Sequence, residues 1–380
     1  MKCYRCGNED INYFYYDQKE WYCRKCIQFG RLAANTLPNK DSYQLKRHRL
    51  KPQLDFPLTL KQAQLSKQLV KSNAKETLVF AVCGAGKSEI VMEVIADYLN
   101  KGKRVGFAIA RRQVVLELYE RFKKAFKSIK VIPVCEGYTN EVHADLIVCT
   151  MHQLYRYYDA FDLLIMDEID AFPYAGNPLL ETIALASCRG RIIYLSATPD
   201  KAMLERARGG MIELLELFER PHGYPLVEPQ PIFKPKIIMP YYLYRIVTTN
   251  LQNKRSLLIF TPTIALCKQI AFWISLFCEC IYITSQSLNS AELIKAFRNH
   301  QASIMVATSV MERGVTFPGI DVCIYQCDHP VFNTAALIQM LGRVGRSFAD
   351  PSGHAYLIGN LKNQSVKECQ KMIRMMNDER

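Results

Sequence analysis

Four short motifs stand in one order along this chain, and they constrain its fold more than any other feature. The first, Ala81-Val-Cys-Gly-Ala-Gly-Lys-Ser88, has the glycines, lysine and hydroxyl of a loop that cradles phosphates between a strand and a helix. The others are Asp167-Glu-Ile-Asp170, Ser196-Ala-Thr198 and Gln339-Met-Leu-Gly-Arg-Val-Gly-Arg346. Together they predict a nucleotide held by two α/β domains, one providing the phosphate loop and the other the arginines.

The phosphate loop predicts which groups touch the nucleotide. Backbone amides near Gly84 and Gly86 can approach phosphates closely because glycine has no side chain. We expect the Lys87 ammonium to reach the β- and γ-phosphates and the Ser88 hydroxyl to ligate Mg²⁺. ATP and Mg²⁺ are therefore the predicted cofactors. The predicted ATP-binding residues of this loop are Ala81, Gly84, Ala85, Gly86, Lys87 and Ser88.

The acidic motif follows an apolar run that is typical of a buried strand. A carboxylate at the end of such a strand suits Mg²⁺, so Asp167 is predicted to help hold the metal. Glu168 is placed to polarise the attacking water. The next strand ends at Ser196-Ala-Thr198, whose hydroxyls are expected to bond Asp167 or Asp170. Asp170, Ser196 and Thr198 are therefore predicted to couple the state of the nucleotide to the rest of the domain.

The arginine motif carries two guanidiniums three residues apart. At that spacing Arg343 and Arg346 are predicted to share a helix face, and glycines at 342 and 345 allow that face to approach another surface. Two guanidiniums there can neutralise charge that builds up on the γ-phosphate. A solvated helix would explain neither the glycines nor Gln339, which we assign to ATP binding. The predicted catalytic residues are Lys87, Asp167, Glu168, Arg343 and Arg346.

Helix and strand patterns alternate on both sides of a Pro-rich stretch, which predicts two parallel sheets because parallel strands need crossover helices. Strands are expected at 77–82, 104–110, 130–134, 145–150, 163–167 and 191–196, and then at 256–260, 280–283, 303–307 and 322–325. The predicted domains are a four-cysteine zinc-binding domain at 1–30, a basic linker at 31–56, a first motor domain at 57–205, a Pro-rich connector at 206–240 and a second motor domain at 241–380.

The composition favours a nucleic-acid partner and argues against a membrane-spanning chain. A net charge of +13 and a pI near 9.0 favour polyanions, because each lysine or arginine placed on a phosphate releases counterions. A generally basic surface is the alternative. No apolar run reaches the roughly 18 residues that a membrane helix needs. The first residues, Met-Lys-Cys-Tyr-Arg-Cys, lack the apolar stretch of a secretion signal, so a cytoplasmic protein is expected.

Four of the fourteen cysteines form two pairs with the spacing of a metal site. Cys3 and Cys6, then Cys23 and Cys26, offer enough thiolates to close a tetrahedral, structural Zn²⁺ site. Two disulfides are the alternative, disfavoured in a cytosolic setting. An aromatic-rich stretch between the pairs predicts a β-hairpin with exposed rings. Those rings suit stacking on unpaired bases, packing of a small ribbon or docking of a protein, and the sequence does not choose among these three.

Residues 57–380 resemble the superfamily 2 helicases, and the chain resembles more closely the ComFA family of late-competence DNA-uptake helicases. Besides the leading cysteines, this narrower resemblance rests on Asp167-Glu-Ile-Asp-Ala-Phe-Pro-Tyr174, Arg220-Pro-His-Gly-Tyr-Pro225, Glu312-Arg-Gly-Val-Thr-Phe-Pro318 and the stretch from Gln339 to Arg346. It implies two RecA-like lobes that hold ATP and grip one DNA strand, with Gln62 on the adenine. The implied strand contacts are Arg111, Arg112, Thr150 and Gln153 on the first lobe, and Thr261 and Thr308 on the second.

Two departures from the family pattern concern the second lobe. Thr316 stands where many relatives have an aspartate, and Ser285-Gln-Ser-Leu-Asn289 lacks an acidic residue that many relatives carry. Gly314, beyond the end of the predicted strand at 303–307, suits contact with a phosphate and is assigned to ATP binding. The predicted hydrolytic residues are unaffected by either departure.

The leading hypothesis is an ATP-driven translocase on single-stranded DNA that serves DNA uptake. The resemblance implies that it works beside a membrane DNA-uptake channel and a phosphoribosyltransferase-like competence protein, in the cytoplasm at the inner face of the cell membrane. One alternative is a primosomal- or repair-type helicase that unwinds duplexes, although such relatives carry their cysteines within the second lobe. Another is a zinc-anchored adaptor without turnover, which intact Lys87, Glu168 and Arg346 disfavour.

Overall fold

The computed structural model describes residues 1–38, 43–287, 289–299, 301–309, 317–348 and 350–380. The chain divides into two compact units. The first comprises Met1–Ala81 and Gly86–Leu217, and the second comprises Val82–Ala85 and Phe218–Arg380. Gly314 and Thr316, on which two of the expectations above depend, lie outside the described residues.

The first unit begins with the predicted hairpin. Strands β1 (Phe14–Asp17) and β2 (Glu20–Cys23) pair antiparallel, and exposed rings line them as expected. Phe14 points inward and packs with the four cysteines in a small buried cluster. Leu179 borders this cluster, and the Phe29 ring stacks on Tyr155 at 5.0 Å, so the hairpin module rests on the first sheet domain.

The large sheet of the first unit is parallel throughout. Its strands are β3 (Glu76–Ala81), β4 (Val105–Ile109), β5 (Val131–Val134), β6 (Leu146–Thr150), β7 (Phe161–Asp167), β8 (Cys188–Ser196) and β9 (Glu213–Leu217). Their spatial order is β5-β6-β4-β7-β8-β3-β9. The central strands are continuous apolar runs because a parallel sheet is covered on both faces.

Helices cover this sheet and fix the loops at its edge. They are α1 (Leu60–Lys71), α2 (Lys87–Ile90), α3 (Met92–Asn100), α4 (Arg112–Ala125), α5 (Pro178–Ser187) and α6 (Lys201–Arg208). A 3-10 helix spans Met151–Arg156. A reciprocal capping box between Thr59 and Gln62 starts α1 and satisfies two of the amides that a helix start leaves without partners.

The second unit contains another parallel sheet. Its strands are β10 (Gln230–Phe233), β11 (Ser256–Phe260), β12 (Cys280–Ile283), β13 (Ile304–Ala307), β14 (Ile320–Tyr325) and β15 (Ala355–Gly359), in the order β10-β15-β14-β11-β13-β12. Its helices are α7 (Met239–Gln252), α8 (Ile264–Ser275), α9 (Ser290–Arg298), α10 (Thr334–Leu341) and α11 (Gln364–Asp378). Two RecA-like parallel-sheet domains preceded by a four-cysteine module are thus confirmed. Across the described ranges no helix is both long and apolar enough to span a membrane.

The Pro-rich stretch at 206–240 is more than a connector. It contributes β9 to the edge of the first sheet and β10 to the edge of the second. Pro231 is compatible with β10 because an edge strand has one side on which a missing N–H costs no ladder bond. Beyond the predicted strands, the second sheet also gains β15, which follows the arginine motif and pairs with both β10 and β14.

Candidate active site

The phosphate loop joins β3 to α2 through two glycines in the left-handed region. Gly84 has φ +86° and Gly86 has φ +76°, values that a side chain at Cβ disfavours. Lys87 begins α2, and its Nζ lies 3.4 Å from the carbonyl oxygen of Ala81 at the end of β3. The Lys87 side chain therefore folds back over the phosphate loop.

Gln62 lies against this loop within the first unit. Its Oε1 accepts a hydrogen bond from the Thr59 amide at 2.9 Å. Its Nε2 would be only 2.6 Å from a Cβ placed on Gly86. The glycine thus leaves room for the amide of Gln62 beside the phosphate loop. Contact with adenine stays a prediction.

The Ser88 hydroxyl contacts two charged side chains, Arg121 and Glu89, and its contact with Arg121 was not predicted from the sequence. Its Oγ accepts from Arg121 Nη1 at 2.8 Å and donates to Glu89 Oε2 at 3.1 Å. Arg121 also pairs with Glu89 Oε1 at 2.9 Å. Arg121 lies on α4, 33 residues from Ser88, and no local spacing signals that approach.

The acidic motif stands where β7 ends. Burial raises the pKa of Asp167 to about 7, against the opposing effect of the Lys87 ammonium. Glu168 follows with φ +54°, uncommon for a residue with a side chain, and its amide donates to Leu195 O at 3.0 Å. Carboxylate and hydroxyl oxygens are the hard donors that Mg²⁺ prefers, so Asp167 and Ser88 fit the ion by their chemistry.

Asp170 joins the acidic motif to the end of β8. Ser196 Oγ donates to Asp170 Oδ1 and Thr198 Oγ1 donates to Asp170 Oδ2, both at 2.7 Å. The sequence had left Asp167 and Asp170 as alternatives, and the structure places both hydroxyls on Asp170. Ionised carboxylates make short, strong bonds of this kind. The coupling role itself stays a prediction.

In the second unit, the arginines do not share a helix face as predicted. Helix α10 ends at Leu341, and a turn with φ +65° at Gly345 follows. The prediction was wrong: the amides of Arg343 and Val344 bond the carbonyls of Met340 and Leu341, three residues back, and the left-handed backbone of Gly345 then turns the chain away. Arg343 and Arg346 therefore lie on this turn, defined here as the arginine turn, residues 342–346.

The arginine turn packs against Val82–Ala85, which belongs to the same unit. Cys83 Sγ donates to Gln339 Oε1 at 3.2 Å, and a Cβ on Gly342 would lie 2.6 Å from Cys83 Cβ. Arg343 is only 2% exposed, whereas Arg346 is partly exposed and its Nε donates to Gly342 O at 3.1 Å. Glycine at 342 is thus needed for this close approach, as the sequence suggested.

The roles of the predicted strand contacts stay predictions. Arg111 is the N-cap of α4, and Arg112 Nε donates to Glu136 O at 2.8 Å. Gln153 Oε1 accepts from Arg156 Nε at 2.6 Å. The others stand at strand ends and are largely buried: Thr150 is the last residue of β6, Thr261 follows β11 and Thr308 follows β13.

The four cysteines converge in a buried group whose Sγ atoms all lie within 4.8 Å of one another. Cys3 and Cys26 are 3.6 Å apart at Sγ, and Cys6 and Cys23 are 3.7 Å apart. Zn–S bonds of about 2.3 Å in a tetrahedron place sulfurs about 3.8 Å apart, whereas a disulfide needs about 2.05 Å. All four are free thiols, so the disulfide alternative is wrong.

Purified protein is expected to hold about one Zn²⁺ per chain, and Cys23→Ser is expected to lose most of it, because a hydroxyl is a poor replacement for a thiolate. Metal analysis of the gel-filtered proteins measures this. Cys278→Ser, which changes a partly exposed thiol outside the cluster, is the control and should keep its zinc. Equal zinc content in Cys23→Ser and the unaltered protein would contradict the assignment.

Two family models match the chain. Residues 55–201 match the type III restriction enzyme res subunit family, and residues 239–348 match the helicase conserved C-terminal domain family. The first match includes the phosphate loop, the acidic motif and Ser196-Ala-Thr198. The second includes α10 and the arginine turn.

Similar proteins extend these matches over almost the whole chain. Competence protein ComFA of Streptococcus pneumoniae strain R6 is 34% identical over 99% of this chain and 90% of its own length. Competence protein ComFA of Bacillus subtilis strain 168 is 30% identical over 99% of this chain and 86% of its own. Among solved structures, S. cerevisiae Dbp5 bound to RNA and ADP BeF3 superposes with a TM-score of 0.62 at 15% identity, over 84% of this chain and 88% of its own, and so supports the fold.

Proposed function

The chain belongs to the ComFA family of competence proteins, and from that premise we propose that it is an ATP-driven translocase on single-stranded DNA that assists the uptake of transforming DNA. Membership makes it a competence-associated superfamily 2 helicase that hydrolyses ATP. Movement along one strand and a part in uptake are the steps proposed beyond that.

The single observation that carries the proposal is the link through Asp170. This carboxylate follows Asp167 and Glu168 by a few residues and binds the hydroxyls of both Ser196 and Thr198. In the proposed motor, a change around the acidic motif would reach the end of β8 through these two short hydrogen bonds. A motor needs such a connection, because hydrolysis must alter contacts away from the phosphates.

In the proposed mechanism, each site residue acts on one part of the nucleotide. Lys87 neutralises the β- and γ-phosphates, while Ser88 and Asp167 would hold Mg²⁺, which would supply further neutralisation of phosphate charge. Glu168 orients the attacking water. Arg346 neutralises charge that develops on the γ-phosphate, and Arg343 supports the same turn from its buried position.

The proposed DNA partner agrees with the charge of the chain. A net charge of +13 favours a phosphate backbone, and sequence-tolerant motors bind that backbone rather than base edges. By family resemblance, the protein partners are a membrane DNA-uptake channel and a phosphoribosyltransferase-like competence protein, met at the inner face of the cell membrane. Zn²⁺ in the cysteine cluster completes the proposed cofactors with ATP and Mg²⁺.

Single-stranded DNA is expected to raise the ATP hydrolysis rate at least about tenfold, which corresponds to about 1.4 kcal/mol of barrier. Steady-state phosphate release with single-stranded DNA, duplex DNA, RNA or no polymer measures this at one fixed salt concentration, because salt weakens phosphate binding. Equal stimulation by duplex DNA or RNA would favour the repair-type alternative or RNA remodelling. Absence of turnover under every condition would favour the non-hydrolysing adaptor.

A further inference from the structure

Arg220 opens the segment Arg220-Pro-His-Gly-Tyr-Pro225, to which the proposed mechanism gives no role. Its side chain is 2% exposed, although a buried guanidinium is costly unless its donors are satisfied. Four hydrogen bonds engage all three of its nitrogens, and every acceptor is a main-chain carbonyl. The acceptors are Val344 at 2.7 Å, Gly342 at 2.9 Å, and Gly345 and Cys83 at 3.0 Å.

Three of these four carbonyls belong to the arginine turn. The last carbonyls of a helix have no intrahelical donors, and a cation there also meets the negative end of the helix dipole. Among the acceptors of Arg220, only Gly342 is such a carbonyl, the C-cap of α10, whereas Val344 and Gly345 belong to the turn that follows the helix. Arg220 thus donates mainly to the arginine turn itself. Burial, and secondly the Arg346 cation, lower the pKa of Arg220 to about 10, so its charge persists at neutral pH.

His222 adds a further donor from the same segment. Its Nδ1 accepts from the Tyr224 amide at 3.1 Å, so the ring proton resides on Nε2 and is donated to Gly345 O at 2.9 Å. Burial lowers the pKa of His222, and the Arg220 cation acts in the same direction. The neutral ring and the guanidinium therefore hold Gly345, the residue with the left-handed backbone, from two directions.

We propose that Arg220 is a positioning residue for ATP hydrolysis. It fixes the arginine turn and thereby holds the Arg346 guanidinium in position to neutralise charge on the γ-phosphate. This rests on the role proposed for Arg346 above. Displacement of a catalytic group by about 1 Å can cost about 100-fold in rate. Loss of Arg220 should therefore lower kcat far more than it weakens ATP binding.

Arg191 offers a matched control within the same chain. It is 5% exposed, and its Nη1 donates to the carbonyls of Leu69 at 2.6 Å and Ser72 at 3.1 Å, at the end of α1 opposite to Gln62. Like Arg220, it is a buried arginine that donates to main-chain carbonyls near the end of a helix, and it is not among the predicted catalytic residues. It also donates to Thr77 Oγ1 at 2.8 Å and pairs with Glu213 at 3.6 Å. Its loss should reduce stability alone.

The test compares Arg220→Met, Arg220→Lys and Arg191→Met in the full chain. We expect Arg220→Met to bind a fluorescent ATP analogue within about threefold of the unaltered protein, with kcat lowered about 100-fold. Arg220→Lys should recover part of kcat, because an ammonium can donate to some of the same carbonyls. Arg191→Met should lower the midpoint of thermal unfolding and keep kcat at a permissive temperature. If Arg220→Met fails to fold, Arg220→Lys carries the comparison, with kcat lowered and binding retained.

A double variant separates this proposal from the role of Arg346. If Arg220 acts through Arg346, then Arg220→Met adds little further loss of kcat to Arg346→Ala. Retained turnover in Arg346→Ala with loss in Arg220→Met would overturn the positioning route. Unaltered kcat in Arg220→Met, with a fall in thermal midpoint like that of Arg191→Met, would show that Arg220 only caps a helix.

Discussion

Lys87→Ala is expected to lower ATP hydrolysis at least about 1000-fold while the fold persists. The ammonium is expected to neutralise phosphates as charge moves toward the leaving group, a task that no uncharged side chain can perform. Its Nζ makes a weak contact with the Ala81 carbonyl oxygen at 3.4 Å. Removal of the side chain therefore leaves the β3–α2 connection, which the glycines determine, in place.

Steady-state hydrolysis with and without single-stranded DNA measures the loss, and thermal unfolding checks the fold. Lys101→Ala is the charge-matched control, since Lys101 lies on the same unit and pairs with Asp97 at the surface. It should retain full turnover. Turnover near the normal rate in Lys87→Ala would refute the assignment of the phosphate loop as the hydrolytic centre.

The sequence was sufficient to predict the two sheets because their central strands are continuous apolar runs. The predicted strand at 163–167, for example, lies within β7, and those at 256–260 and 280–283 match β11 and β12. Of the edge strands of the two large sheets, β5 and β12 were predicted, whereas β9 and β10 were missed for a physical reason. β10 contains Pro231, and two of the five residues of β9 are glutamates, so neither has the composition of a buried parallel strand.

In the candidate site, features set by consecutive residues were predictable from the sequence, whereas contacts between residues far apart in the chain were not. The loop at Gly84 and Gly86 was predictable, because its conformation depends on a few consecutive residues. The i, i+3 spacing of the arginines predicted a helix and was misleading, because α10 ends at Leu341 and the turn at Gly345 is contacted by Arg220, more than a hundred residues away. The approach of Arg121 to Ser88 was missed for the same reason.

Arg346→Ala is expected to lower hydrolysis by about 10³- to 10⁵-fold, the range over which arginine fingers act, while ATP affinity changes little. An arginine finger stabilises the negative charge on the phosphoryl group, which is largest in the transition state. Its loss therefore lowers kcat rather than ATP affinity. The structure is consistent with such a role, because Arg346 is partly exposed and lies on a turn beside Gly84 of the phosphate loop, within the second unit. Arg343, in contrast, is almost fully buried and is expected to affect stability as well.

Binding of a fluorescent ATP analogue and single-turnover hydrolysis measure the two effects separately. Arg346→Lys keeps the charge but loses the planar fork, and should recover only part of the rate. Arg374→Ala, which removes an exposed arginine paired with Glu228 on the same unit, should behave like the unaltered protein. If Arg346→Ala weakens ATP affinity as much as it slows hydrolysis, Arg346 is a binding residue, because uniform loss of binding leaves the chemical step unchanged.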